Sequence, residues 1–313
     1  MHAGVRLSPP SHGPEVLGEG DRCHNATTSQ PSAPNDWAEV RPLASGGVTL
    51  LNAHFTQHRF ERHSHETYSI GVTHSGVQTF ACRGTRHASL AGDVMLFNPD
   101  EPHDGSRGSD AGFGYSILYV DTALVHALLT DLADSGTGQA THAGRYFKAP
   151  VVHDPQGAHL LIQAAAAVAE RQETLHGQEL TSAAMLALLG RHGEARFDRA
   201  SNGLDPGHRR MALVREYLDA HFFDDVTVEM LAYQAGLSRA HLTRAFTAAY
   251  GIAPHAYLNM VRIRQAQAAL LRGDTIAQAA TACGFADQSH MTRRFKGQVG
   301  MAPGRWAADM RAR

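Results

Sequence analysis

The sequence predicts an α+β protein of two domains, in which a small β-barrel with attached helices precedes an all-α domain. Residues 47–120 contain short apolar or alternating runs separated by Gly and Pro turns, which are typical of antiparallel strands. Helical patterns replace them after residue 120, and a repeated pattern marks the last third of the chain. A length of 313 residues suffices for two domains of ordinary size.

Changes in composition predict the domain boundaries. Residues 1–36 are rich in Pro, Ser, Gly and His, and they carry few large apolar side chains, so we expect a disordered leader. The first domain is expected over 37–196 and the second over 209–313, with a polar linker at 197–208. The elements predicted for the first domain are strands at 48–55, 67–73, 77–82, 93–97 and 113–120 and helices at 121–134, 158–171 and 178–192.

Capping residues predict short helices in the second domain. Thr227 is expected to cap a helix at 228–235, and Ser238 to cap the next at 241–249. The segment 254–272 places apolar residues on one helical face, and Gly273 ends it. Thr275 with Gln278 forms a capping box for the helix that follows.

An internal repeat indicates what the second domain is for. His241-Leu-Thr-Arg-Ala-Phe246 recurs as His290-Met-Thr-Arg-Arg-Phe295, at an offset of 49 residues. Each copy has a small residue and a turn glycine upstream, Ala232 with Gly236 and Ala280 with Gly284. A helix-turn-helix needs both, because its helices nearly touch and its turn is left-handed. Two copies in register therefore predict two helix-turn-helix motifs.

The outward face of each second helix is the predicted DNA contact. Small and hydrogen-bonding side chains around a central Arg suit the major groove, where Arg can bind guanine through two hydrogen bonds. The alternative is a helical protein-interaction domain with solvated arginines. The predicted DNA-binding residues are Arg239, Ala240, Thr243, Arg244, Thr247, Gln288, Ser289, Thr292, Arg293 and Lys296.

The charge distribution agrees with DNA binding by the second domain alone. The net charge is −2, but residues 209–313 carry +6 and the preceding residues −8. A basic module beside an acidic domain is expected if only the basic part meets phosphate.

These residues resemble the AraC/XylS family of transcription regulators. The resemblance implies seven helices, with 254–272 joining the two motifs, and it implies binding to promoter or operator double-stranded DNA, with RNA polymerase as a further partner. Met291 departs from the aromatic residue common there. The matching residues include Leu231, Ala232, Gly236, Leu242, Arg244, Phe246, Gly251, Pro254, Arg262, Ile276, Gly284, Arg293, Phe295, Gly300 and Pro303.

The first domain resembles the cupin-like sensor often fused to this module. The matching segments are His63-Ser-His65-Glu66, Gly92-Asp93 and Pro102-His103. The resemblance implies a pocket for a small-molecule effector, which we expect to be lined by His63, His65, Tyr68, Phe97 and His103. The alternative is that these are surface histidines in a chain that has 21 of them.

We expect no metal and no cofactor in this pocket. Metal-binding cupins add a Glu four or five residues after the His pair, where this chain has Ser69 or Ile70. Glu66 follows His65 directly and would point to the opposite face of a strand. A regulator rather than an enzyme is therefore expected. The competing interpretations are a cupin-type metalloenzyme with a DNA-binding tail and a DNA-packaging protein.

Location and assembly are predicted from the apolar segments of the chain. The sequence shows neither a signal peptide nor a membrane-length apolar segment, so we expect a cytoplasmic protein. Helices within 158–192 are expected to form a homodimer, because Leu160, Leu161 and Val168 among alanines give a small-residue packing surface.

Overall fold

A computed structural model describes residues 36–44, 46–134, 145–170, 174–195 and 206–312. All but the last residue of the leader expected at 1–36, and most of the expected linker at 197–208, therefore lie outside the described residues. The elements, in chain order, are β1 Trp37–Pro42, β2 Val48–Phe55, β3 Phe60–His63, β4 Tyr68–Cys82, β5 Thr85–Leu90, β6 Val94–Phe97, β7 His103–Arg107, β8 Phe113–Val120, α1 Thr122–Asp134, β9 Arg145–Phe147, β10 Val151–Val152, α2 Pro155–Glu170, α3 Thr174–His192, β11 Gly193–Ala195, α4 Pro206–Ala220, α5 Val228–Gln234, α6 Arg239–Tyr250, α7 Pro254–Arg272, α8 Ile276–Ala282, α9 Gln288–Val299 and α10 Pro303–Arg311.

The first domain is rich in antiparallel sheet, as the sequence predicts. Its main strands form two sheets that share the long strand β4. One sheet has the order β1-β2-β8-β4-β6-β10, and the other joins β5 and β7 to β4 and β3 to β7. His63 on β3 pairs with His103 on β7, so strand register alone brings these two histidines together.

Strand β4 corrects the prediction of two strands with a turn between them. The chain continues through Ser75-Gly76 as one strand, with a register shift between Thr73 and Ser75 against β8. Gly76 has a φ of +67°, and a Cβ there would lie 2.0 Å from the carbonyl oxygen of Gly112. The glycine therefore permits a bulge rather than a hairpin turn.

Helices α2 and α3 pack on the outer face of the sheet. Leu161 and Val168 are buried there with Ile70 and Met185, and Leu160 packs against the same cluster. The surface predicted to form a dimer is thus used inside the protomer. Because an alanine-rich apolar stripe suits either role, the sequence could not distinguish them.

The C-terminal region contains seven helices between residues 206 and 312, as the family resemblance implies. Helix α7 has the predicted bounds and ends at Gly273, whose φ is +108°. Thr227, Ser238 and the Thr275–Gln278 capping box cap their helices as predicted. The boundary before them is different, because α4 begins at Pro206, inside the predicted linker.

The two domains share an apolar core. Phe55 and Phe60 from the sheets belong to one buried cluster with Phe295 and Trp306 from the helices. The second helix-turn-helix therefore packs directly on the sensor domain. A separate cluster, which includes Leu242 and Phe246, forms the core of the first motif.

Candidate functional site

The first helix-turn-helix consists of α5 and α6. Gly236 supplies the left-handed turn with a φ of +62°, and the Ser238 hydroxyl accepts a hydrogen bond from the His241 amide at the start of α6. Leu242 and Phe246 are fully buried and fix α6 to the core. Burial of these two side chains determines which face of α6 remains outside.

The second motif, α8 and α9, repeats this arrangement. Gly284 has a φ of +73° in the turn, and the Asp287 carboxylate accepts a hydrogen bond from the amide of His290. Met291 and Phe295 are fully buried, in the positions that Leu242 and Phe246 hold in the first copy. Methionine thus takes the anchoring role at the position where the family commonly has an aromatic residue.

Most of the predicted DNA-binding side chains lie on the exposed faces of α6 and α9. Thr243, Thr292 and Lys296 are half-buried. Arg239 forms an exposed salt bridge of 2.6 Å with Glu229, and such a pair is weak enough to exchange for phosphate. The exposed members are Arg239, Ala240, Arg244, Thr247, Gln288, Ser289 and Arg293.

Arg244 and Arg293 differ from Arg239 in having no salt bridge to any described residue. They occupy the same position in the two copies, at the centre of each exposed face. An unpaired exposed guanidinium keeps its five donors available for a base edge or a phosphate.

Lys296 lies close to the sensor domain. Its charge acts on His58, whose pKa is lowered to about 4 by burial first and by Lys296 next. His58 packs against Phe55 and Phe60 of the sensor at ring-centre distances of 4.9 and 4.5 Å. The last turn of α9, the recognition helix of the second motif, thus borders the sensor domain.

A cavity of about 370 Å³ lies between the two domains. Of the five predicted effector residues, His63, His65, Phe97 and His103 line it. Tyr68 does not: it is buried on the opposite face of the sheet, and its hydroxyl donates a hydrogen bond of 2.7 Å to the carbonyl of Arg145. Strand alternation explains the correction, because on β4 it is Ser69 that faces the cavity.

The helical domain supplies the other wall, which the sequence reasoning missed. Met260 and Ile263 on α7 carried a helical core pattern in the sequence, but nothing in that pattern shows that part of this face would border a cavity. The residues contributed by α7, α9 and α10 are Met260, Ile263, Arg264, Gln267, Gln298, Val299, Trp306 and Met310.

The three histidines form a compact cluster in the sensor wall. Their candidate ligand atoms all lie within 4.8 Å of one another. Burial lowers the pKa of each ring, to about 3 for His103, so the imidazoles are neutral at pH 7. Nδ1 of His63 lies 2.7 Å from the backbone carbonyl oxygen of Glu61, and Nδ1 of His103 lies 2.9 Å from that of Glu101.

Beside the cluster, the cavity wall carries polar atoms that have no partner. The hydroxyls of Thr67 and Ser69 and the side-chain carbonyl of Gln78 are buried without a hydrogen bond to any described residue. Buried polar atoms of this kind are costly unless a ligand or water satisfies them. This wall can therefore recognise hydroxyl, amine or carboxylate groups of a small molecule.

Polar contacts also join the domains around the cavity. Glu61 forms a salt bridge of 3.0 Å with Arg294, and Asp100 forms one of the same length with Arg215. Arg62 Nε donates a hydrogen bond of 2.6 Å to the carbonyl of Gly251, at the end of α6. Both recognition helices are thus connected directly to the sensor.

Comparison with known proteins agrees with this architecture. Residues 45–189 match the family model of the AraC-like ligand binding domain, and residues 231–309 match a helix-turn-helix domain model. Together the two segments cover most of the chain. It belongs to the AraC family of transcriptional regulators.

Relatives of the AraC family match either most of the chain or about a third of it. The uncharacterized HTH-type regulator YbfI of Bacillus subtilis is 29% identical over 233 residues, which cover 74% of this chain and 82% of YbfI. The transcriptional activator RhaS of Escherichia coli is 30% identical over 101 residues, 32% of this chain and 36% of RhaS. The RhaS similarity is thus confined to about a third of each protein.

Solved structures support the fold of the whole chain. The crystal structure of ToxT from Vibrio cholerae has a TM-score of 0.50 at 12% identity, and the match covers 89% of this chain and 99% of ToxT. Similarity at this level of identity shows the arrangement of a sheet-rich domain followed by helices, as found here. Among the helices that the structure describes, none is long and apolar enough to cross a membrane.

Proposed function

We propose that this AraC-family regulator binds a small-molecule effector in the interdomain cavity and that the effector changes how the two recognition helices meet DNA. The proposal rests on the observation that both domains contribute residues to the walls of this cavity. Sensor residues such as His65 and helix residues such as Gln267 and Trp306 face the same space. A ligand there contacts the DNA-binding domain itself, so its binding free energy depends on the domain arrangement.

The cavity lining defines the kind of effector. One wall presents imidazoles and unpartnered side-chain oxygens, and another presents Trp306, Met310 and Ile117. A molecule with a polar end and an apolar body satisfies both walls. A volume of about 370 Å³ suits a metabolite with the size of an amino acid, a sugar or an aromatic acid.

The recognition helices define the kind of DNA site. The two motifs are related by repetition along the chain, and α7 holds them in one rigid unit, so one protomer reads two unlike elements in tandem. Recognition helices in successive major grooves on one face of DNA lie roughly 34 Å apart. The expected site of one protomer therefore spans on the order of 20 bp.

The location, assembly and partners of the protein are proposed from its role as a regulator. The protein acts in the cytoplasm, binds promoter or operator DNA as a homodimer and contacts RNA polymerase there, without chemistry of its own. Support for a regulator over an enzyme comes from the relatives, which are named as transcriptional regulators.

The test begins with selection of bound sequences from random DNA by the purified full chain. The recovered site is then used to measure Kd with and without a panel of amino acids, sugars and aromatic acids. We expect a ligand that raises the Tm also to change the Kd for DNA, and we expect Gln267→Leu to reduce both effects. A ligand that changes DNA affinity equally in the wild type and in Gln267→Leu would contradict the cavity as its site.

A further inference from the structure

We propose that His63, His65 and His103 bind a divalent first-row metal ion, for which Zn²⁺ is the natural candidate, and that the ion presents an open coordination position to the cavity. Binding of the metal ion does not depend on the proposed regulatory function. Only the last step, in which a carboxylate-bearing effector completes the coordination, rests on the proposed function.

The spacing of the three rings fits one shared ion. The ring centres are 4.9 Å apart for His63 and His65, 4.7 Å for His63 and His103, and 5.4 Å for His65 and His103. Imidazoles that share an ion through bonds of about 2.0–2.1 Å have ring centres roughly 4.5–5.2 Å apart. The candidate nitrogen atoms lie within 4.8 Å of one another, and they move closer, to about 3.3 Å, when they share a tetrahedral ion.

Hydrogen bonds prepare two of the rings as ligands. Nδ1 of His63 lies 2.7 Å from the carbonyl of Glu61, and Nδ1 of His103 lies 2.9 Å from that of Glu101. A carbonyl only accepts, so each Nδ1 must carry the proton, and in a neutral imidazole this leaves the Nε2 lone pair free. Histidines that bind metals are oriented by this kind of bond to a backbone carbonyl.

The missing carboxylate, on which the expectation of no metal rests, does not prevent binding. Glu66 is occupied elsewhere, in a salt bridge with Arg264 of α7. Three imidazoles alone hold Zn²⁺ in catalytic sites, where the fourth position stays open for water or a ligand. Here that position faces a cavity that also contains Arg264, so a ligand carboxylate that replaces the exposed Glu66 at Arg264 would bind the ion and the guanidinium together.

The experiment uses the full chain, without an added histidine tag, after treatment with a chelator. Zn²⁺ binding is measured by competition with a chromogenic chelator, since the chain has 21 histidines and sites of different affinity must be distinguished. X-ray absorption of the wild type loaded with one equivalent of Zn²⁺ then counts the imidazoles without any substitution. We expect one tight site per chain with three imidazole ligands and no thiolate.

Variants assign the site. His65→Gln and His103→Gln should each weaken the tight site at least tenfold, whereas His153→Gln, an exposed histidine of the same domain, should leave it unchanged. Circular dichroism establishes that the variants are folded. An unchanged tight site in both cluster variants, or fewer than three imidazoles in the wild-type absorption spectrum, would overturn the metal site.

Co²⁺ in place of Zn²⁺ tests the open position. Added benzoate should change the visible absorption of the Co²⁺ protein, and Arg264→Gln should weaken this response. A spectrum that benzoate leaves unchanged would overturn the ligand step. Failure of the proposed regulatory function would show instead as DNA binding that no cavity ligand affects, with the metal count unaltered.

Discussion

Glu61 of the sensor and Arg294 of the second recognition helix form a salt bridge of 3.0 Å across the domain boundary. The contact is close along the backbone too, because a Cβ on Gly297 would lie 2.9 Å from Cδ of Glu61. The backbone carbonyl of Glu61 also accepts a hydrogen bond from Nδ1 of His63. One residue on β3 therefore connects the cavity wall with the position of α9.

A double-mutant cycle tests whether this contact exists in solution. Glu61→Gln and Arg294→Gln should each lower the free energy of unfolding, and the cycle should give a coupling of about 0.2–1 kcal/mol, since the pair is partly exposed. The measurement is urea unfolding of the four proteins. The pair Arg239–Glu229, 2.6 Å apart within the first motif, serves as a control that does not cross the boundary. Additive effects of Glu61→Gln and Arg294→Gln would mean that this salt bridge does not contribute to stability in solution.

Glycines at the ends of the two recognition helices provide a second test of docking. Gly251 and Gly300 end α6 and α9 with φ of +69° and +83°, so replacement by Ala strains both by about 1 kcal/mol. At Gly300 a Cβ would also lie 2.9 Å from the Phe55 ring, whereas at Gly251 the nearest atom is 3.3 Å away, in Pro102. Gly300→Ala should therefore lower the Tm more than Gly251→Ala does. Equal losses would indicate that α9 does not pack on the sensor.

The sequence predicts the helical domain better than the sensor, for physical reasons. Caps such as Ser238 and turn glycines such as Gly284 act locally, so a short segment contains their whole signal. Strands β3 and β7 were missed because Phe60–His63 and His103–Arg107 are short and polar. Their structure depends on partners distant in sequence.

The candidate site shows the same division. The pair of motifs follows from spacing, whereas the pocket histidines follow from the family resemblance, and the structure brings the three predicted histidines together. The interdomain wall could not be predicted from the sequence, because no local pattern shows that Trp306 and Gln267 line the same cavity as the sheet. The polar linker even suggests independent domains, whereas the two cores merge around Phe60 and Phe295.

Acid should destabilise the protein partly through His58. Its pKa in the folded chain is lowered to about 4 by burial first, then by Lys296 and His63, against the opposing effect of Asp36. The unfolded chain, with an ordinary pKa near 6.5, then binds more protons, so stability is full above pH 6.5 and falls as the pH drops toward 4. Protonation of His58 accounts for up to roughly 3 kcal/mol of the free energy of unfolding that is lost.

The measurement is urea unfolding of the wild type and His58→Leu between pH 7 and pH 4. Leucine cannot titrate, so the variant should lose less stability over this window, although His63, His65 and His103 still contribute. Lys296→Gln should raise the folded-state pKa of His58 toward its unfolded value and so reduce the loss of stability at low pH. Parallel curves for the wild type and His58→Leu would exclude His58 as the titrating group.

Arg244 and Arg293 should each read a base, most simply guanine. Each is exposed, lies at the centre of its recognition face and has no salt bridge to a described residue. Replacement by Ala should cost about 1–3 kcal/mol of binding and relax preference at one or two positions of the site. Arg86, an exposed arginine on β5 of the sensor, is the matched control, and Arg86→Ala should leave DNA binding unchanged.

Lys296 should behave differently, because a compact ammonium at the last turn of α9 suits phosphate. Lys296→Ala should weaken binding to all sequences alike and reduce the salt slope by about one unit. Dissociation constants for each variant against the best site and its single-base changes, at two salt concentrations, separate the two behaviours. If the Arg variants lose affinity uniformly and keep the wild-type base preference, then Arg244 and Arg293 bind phosphate, and sequence must be read by the neighbouring residues of each face, such as Gln288 and Ser289.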